Sequence, residues 1–267
     1  MSLTALKEVF LAYLKAELIR SKGFVFGLLS LMLWLVLFLA PTALFRSPET
    51  PPEMVSTYAL VAIAVFLLYS TATWDWAWEL RLLMFQGVLE EFIASGRSVY
   101  MLYAGILPVS FIWLTASLGS SYVLLTALLA PPRLSVADPL ALAVSVATLV
   151  LVLIAYSLIL GGTTIATGTS GPVMEFLGWI MPIATGGLTP LASLPEVLRW
   201  VAISTPFSYP AELLRYSLGL AEPVVGVRTA LIVGPVYAVL FLALSVEFFE
   251  VQLRKLLKEG VKTAAMY

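Results

Sequence analysis

The sequence predicts an all-α integral membrane protein. It has six transmembrane helices, an amphipathic interface helix before them, and short re-entrant helices between the fifth and sixth. Three observations predict this: six long apolar runs, basic residues gathered at both ends, and Pro and Gly punctuation after the fifth run. A helix crossing ~30 Å of hydrocarbon needs roughly 20 apolar residues, since each adds about 1.5 Å. Runs of that length occupy 24–44, 55–73, 99–121, 139–160, 172–190 and 228–247. Hydrophobic residues make up 61% of the 267 and charged residues 12%, against about 45–50% and 25% in soluble domains. A soluble fold cannot hide that much apolar surface, whereas lipid removes the need. The expectation is a single membrane domain over 1–267.

Residues 2–22 precede the first run. Leu3, Leu6, Phe10, Tyr13 and Leu14 share one helical face, opposite Glu8, Lys15 and Lys22, while Glu17 interrupts the apolar stripe. This reads as a helix lying in the cytoplasmic interface or as a solvated anchor. Six charged residues in this stretch, with no short apolar core and cleavage site after them, argue against a cleavable signal peptide.

All six lysines lie near the ends, at Lys7, Lys15, Lys22, Lys255, Lys258 and Lys262, joined by Arg20 and Arg254. By the positive-inside bias both termini are cytoplasmic, which requires an even number of spans. Arg199 and Arg215 then fall outside, against the trend, in a translocated segment long enough to tolerate them.

Between the second and third runs, loop 74–98 faces the cytoplasm. Within it, 86–95 carries Leu89, Phe92 and Ile93 on one face of a short helix, with Glu90 and Glu91 beside them. Two readings stand: a helix offering apolar knobs and acids to a soluble partner, or one resting on lipid. Trp74, Trp76 and Trp78 fit an interfacial aromatic belt. Glycines and threonines from Gly161 to Gly171 imitate a phosphate loop in composition only, because no Lys occurs between positions 23 and 254. A tight turn between the fourth and fifth spans is the expectation. Glu175, about one turn into the fifth span, either lines a path or is hydrated at headgroup level.

After the fifth run, Pro195-Glu196 follows Ser193, Pro210 precedes Glu212, and Gly219 supplies a stop. Two helices within 193–219 are too short to cross, so they read as re-entrant, with the backbone around 205–209 buried in protein or meeting water.

Several functions are excluded. A net charge of −1 offers no phosphate-binding patch for nucleic acid. The chain has no Cys and no His, which removes thiol chemistry, the commonest metal ligand and the usual neutral-pH base. No catalytic or metal-ligating residues are expected. Asn is absent and Gln occurs only at 86 and 252, a composition that fits a thermophile.

Two segments together resemble the ABC-2 type permease family, the membrane subunits of ATP-driven exporters. One comprises Glu79 and Arg81, then Gly87-Val88-Leu89-Glu90 and Phe92-Ile93. The other runs through Gly187, Pro190, Leu194-Pro195, Leu198, Pro206, Tyr209, Glu212 and Arg215. The six-span layout and the N-terminal helix extend the resemblance over nearly the whole chain. Two departures stand out: Gly96 occupies the place of a common Pro, and Val88 that of a Thr.

The resemblance implies an export permease rather than an enzyme, placed in the cytoplasmic membrane. Two copies of the chain, or the chain and a sister, form the pore. Two separate ATPase subunits bind ATP and Mg, and this chain binds no cofactor. The 86–95 helix then couples to the ATPase through Gln86, Gly87, Leu89, Glu90, Phe92 and Ile93. The fifth spans meet near the two-fold axis, with Met174, Glu175, Phe176, Trp179 and Pro182 lining the substrate path. The outer region carries Pro195, Pro206, Tyr209 and Arg215. The alternative is an ATPase-independent secondary transporter or channel using Glu175 and Glu247 or Glu250. Against it, the spans lack a set of polar residues and no internal repeat is evident. A membrane-embedded enzyme is a third class, but no base is available to activate a Ser or Thr.

Overall fold

The computed structural model describes residues 3–44, 50–96, 98–168, 171–184, 186 and 190–260; the side chains of 3, 38–44, 179 and 182–184 lie outside the description. Among the described residues every regular element is helical. In order these are α1 (Leu3–Tyr13), α2 (Gly23–Leu44), α3 (Pro52–Thr71), α4 (Trp78–Phe85), α5 (Val88–Ala94), α6 (Tyr100–Leu128), α7 (Pro139–Thr167), α8 (Gly171–Ala184), α9 (Glu196–Ile203), α10 (Ser208–Ser217) and α11 (Val227–Glu259). A π-helical stretch, Leu14–Arg20, extends α1, and another, Ala72–Ala77, joins α3 to α4.

Four helical stretches are long and apolar enough to cross a membrane: Pro52–Phe85, Tyr100–Leu128, Pro139–Thr167 and Val227–Glu259. A fifth is added if Thr4–Arg20 and Gly23–Leu37, bent by 64° at Ser21–Lys22, form one broken span. The expected fifth run, 172–190, is helical over only 14 described residues, about 21 Å at 1.5 Å each. Alone it is shorter than the hydrocarbon.

Two other elements depart from expectation. Residues 74–85 do not open a loop but continue the α3 helix through its π turn into α4. Their tryptophans and charged residues are compatible with helix, and no Gly or Pro stops it before Gly87; Trp76, expected in an interfacial belt, is instead buried in the protein. Residues 161–167 are likewise the last two turns of α7 rather than a turn. The chain stops at Gly168, whose φ of 72° is the left-handed conformation glycine adopts freely.

The chain divides into two compact units, Met1–Ala64 with Phe92–Leu134, and Val65–Glu91 with Ser135–Tyr267. In the first, α1 and α2 pack on α6. Leu6, Phe10, Tyr13 and Leu14 are half-buried while Glu8, Lys15 and Glu17 are exposed, so α1 spends its apolar face on protein. Gly105 permits this, since a Cβ there would run into Val9. Gly27 similarly makes room for the Trp113 ring, which meets Phe24 edge-on at 5.4 Å. Ser21 Oγ accepts the Gly23 N–H at 2.9 Å, turning the chain into α2. At the start of α3, Thr57 Oγ1 accepts the Arg133 N–H at 2.9 Å, and Glu53 faces Arg133 at 3.7 Å.

In the second unit α7 and α11 form the central pair, with α10 against both. The helices approach closely where α7 lacks a side chain: a Cβ on Gly162 would lie 2.6 Å from Phe248 Cε1 and 3.5 Å from Phe249 Cα. Thr148 and Tyr209 crowd Gly234 of α11 in the same way. Asp138 caps α7, accepting the Ala141 N–H at 2.9 Å, with Pro139 at the first helical position.

Gly162→Leu is expected to force α7 from α11 and to cost about 1–3 kcal/mol by overpacking. Thermal unfolding in detergent checks this: a midpoint several degrees lower is the expected result, with the exposed Gly119, whose Cβ meets nothing within 4 Å, tolerating Ala.

Candidate functional site

Three regions carry the residues that the sequence singled out. The first is α5, seven residues between Gly87 (φ 70°) and Gly96 (φ 73°). Both glycines occupy the left-handed region and each has open space around its Cβ position, so backbone conformation rather than packing demands glycine there. These breaks make α5 a separate short rod after the helix ending at Phe85. Its faces are unequal. Leu89 is fully buried (0% exposed), Phe92 and Ile93 are half-buried, and Gln86, Gly87, Val88, Glu90, Glu91 and Ala94 are exposed. Leu89 therefore fixes α5 to its own chain instead of projecting as a knob. A partner would meet the two acids, Val88 and the outer edges of Phe92 and Ile93. Ser95 Oγ donates to the Phe92 carbonyl at 2.6 Å and closes the last turn.

The second region is α8. Met174 is fully buried, whereas Glu175 and Phe176 are exposed, Phe176 by 63%. Val173 and Ile180 continue the exposed apolar face, and Gly178 sits against Trp74 Nε1, 3.3 Å from an ideal Cβ. Met174 is thus inward packing, while among the described path residues Glu175 and Phe176 present side chains outward. The side chains of Trp179 and Pro182 lie outside the described residues, as does Gly187.

The third region is the outer group, where buried polar chemistry concentrates. Nearly all of α10 is buried, including Tyr209, Glu212 and, at 1% exposed, Arg215. It lies against α7 and α11. Glu212 Oε1 accepts the Leu191 N–H at 3.2 Å and Oε2 the Val224 N–H at 2.8 Å. One carboxylate thereby holds the chain on both sides of α9 and α10. The Tyr209 hydroxyl donates to the Ile203 carbonyl at 2.9 Å and its ring meets Tyr237 at 5.6 Å. Burial and the neighbouring Tyr237 raise its pKa. Ser208 and Ser145 donate to the Ala202 and Pro210 carbonyls, and Ser217 C=O accepts from Ala137 and Asp138. Leu191, Ile203, Tyr209, Glu212, Val224 and Ala230 surround a cavity of ≈ 10 Å³, space for a single water.

Arg199 also has a structural use. Nε donates to the Leu191 carbonyl, and Nη2 to those of Ala192 and Leu194 at 3.0 Å. The two arginines that break the charge trend are thus tied into the fold, Arg199 as a cap on a 3₁₀ turn and Arg215 as a packed residue. On α9, Val197, Trp200 and Val201 are exposed. Pro195 opens this helix, and Pro206 lies in the turn leading to α10. Glu212's double acceptor role was hidden in the sequence, because it depends on two loops being brought to one helix. Among the described residues no cluster of three acids, His or Cys suits a metal ion.

No protein-family model matches this sequence, and no characterised protein matches it with significance.

Glu212→Gln is expected to turn one carboxylate oxygen into an N–H₂ facing a backbone donor. Losing that acceptor costs about 1–3 kcal/mol. Hydrogen exchange followed by mass spectrometry checks this: amides over 190–195 and 220–226 should exchange faster, with those of α7 unchanged.

Proposed function

We propose that this chain is the membrane-spanning permease subunit of an ABC-2 type exporter, a six-span protein driven by ATP that separate subunits hydrolyse. The fifth span includes α8, and α9 and α10 close the outer end. Both termini face the cytoplasm. A second copy or a sister permease and two ATPase subunits complete the assembly.

The observation that carries this reading is α5. It is a short rod cut free on both sides by left-handed glycines, at the end of a 34-residue membrane-length stretch. Its buried Leu89 would pass force on it to the chain's own core, while Glu90 and Glu91 remain exposed for a partner. A rod built to be pushed suits a subunit whose energy source lies elsewhere. The absence of lysine between 23 and 254 and the helical structure over 161–167 support a chain that relies on ATP bound elsewhere.

Phe92→Ala is expected to weaken ATPase docking roughly 5–150-fold, the range of an interface anchor worth about 1–3 kcal/mol. Glu90→Lys should repel a basic groove, whereas a helix resting on anionic lipid would bind better with lysine. Co-purification of a soluble ATPase with wild type, Phe92→Ala and Glu90→Lys checks this. Equal recovery with all three removes the coupling role.

Orientation is tested by impermeant labelling of single cysteines, since the native chain has none. Position 199 should label in intact cells and position 258 only after lysis. The reverse pattern inverts the layout.

A further inference from the structure

Arg81 is the most exceptional cation among the described residues. Its Cζ lies 4.5 Å from the centre of the Trp78 ring and 5.2 Å from that of Phe85. Trp78 in turn packs on Trp74 at 5.7 Å. The guanidinium also rests on Gly171, where an ideal Cβ would come 2.8 Å from Nη1 and 3.2 Å from Nη2. Any side chain at 171 would push it away. The rings and the glycine therefore confine the position of the group.

What this arginine lacks is an anion. Nε is buried with no hydrogen-bond partner. The ion pairs found among the described residues are Arg133–Glu53 and Arg254–Glu247, neither of which involves it. Arg199, by contrast, donates to three carbonyls. Arg81 also meets α8 at its first residue, and the N-terminus of a 14-residue helix carries about half a positive charge. A guanidinium set against a positive helix end, in a partly dry site, is an arrangement that a bound anion stabilises.

The chemistry of the anion follows from the donor. A planar guanidinium held over two rings offers paired N–H groups, matched to two oxygens of a phosphate. The place agrees, because Trp74 and Trp78 are half-exposed beside it and tryptophans of that kind favour the headgroup level of a bilayer, whereas Trp76 is buried in the protein. We propose that Arg81, gripped by Trp78 and Phe85 over Gly171, binds the phosphate of an anionic phospholipid and ties α4 and the start of α8 to the membrane surface.

Native mass spectrometry of the full chain in mild detergent, with phosphatidylglycerol or phosphatidylcholine added, tests this. Wild type should retain phosphatidylglycerol in preference to phosphatidylcholine. Arg81→Gln should weaken that retention at least tenfold. Arg81→Lys keeps the charge but loses the planar fork, so it should fall between them. Gly171→Val displaces the guanidinium and should behave as Arg81→Gln while leaving every charge in place. Arg254→Gln, which removes an exposed arginine from α11, should retain lipid as wild type does. Millimolar inorganic phosphate should not displace the lipid; if it does, a soluble phosphate is the ligand and the lipid assignment fails. The proposal is overturned if Arg81→Gln and Gly171→Val bind phosphatidylglycerol as wild type does, or if Arg254→Gln loses it equally.

Discussion

Hydrocarbon supplies no hydrogen-bond partners, and an unpaired peptide group there costs about 2–7 kcal/mol. That constraint shapes this chain from end to end. Long helices satisfy their own backbone and cross without further help. The difficult part is the segment from Leu191 to Gly226, where two short helices leave many terminal groups over. Side chains meet that need. Glu212 accepts two backbone N–H groups, Arg199 donates to three carbonyls, and Tyr209, Ser208 and Ser145 donate to one each. The polar residues of α10 are buried because the backbone around them has no other partner.

Glycine does two different jobs. Gly105, Gly162 and Gly234 lie within helices and are crowded by Val9, Phe248 and Tyr209. They remove side chains so that helices approach closely. Gly87 and Gly96 are crowded by nothing but have positive φ, and they mark where the chain changes direction around α5. The tight contacts hold the helices of each unit close together, and the left-handed glycines bound the short helix α5.

The membrane class and the places of most helices were legible in the sequence, because apolar length is a direct measure of bilayer thickness. The α1 stripe was legible too, from Leu6, Phe10 and Leu14 recurring at helical spacing. Other features were not. The continuation of α3 into α4 was obscured by tryptophans that read as an interfacial loop. Gly161 and Gly162 read as a turn, although one of them is a contact point with Phe248. The inward direction of Leu89 and Met174 could not be read, since an apolar residue on a short helix fits a partner's groove and its own core equally well. Glu212 and Arg81 owe their settings to residues far away in sequence, the loops at 191 and 224 and the glycine at 171, and no local pattern announces them.

The central claim is that α5 takes up force from a soluble ATPase. A photo-crosslinking amino acid at position 91, exposed on α5, tests it in living cells. The account predicts a single major adduct with a soluble protein that contains a phosphate-binding loop, lost when Glu90 is changed to Lys. Adducts with lipid alone, or with a second copy of this chain alone, would contradict it.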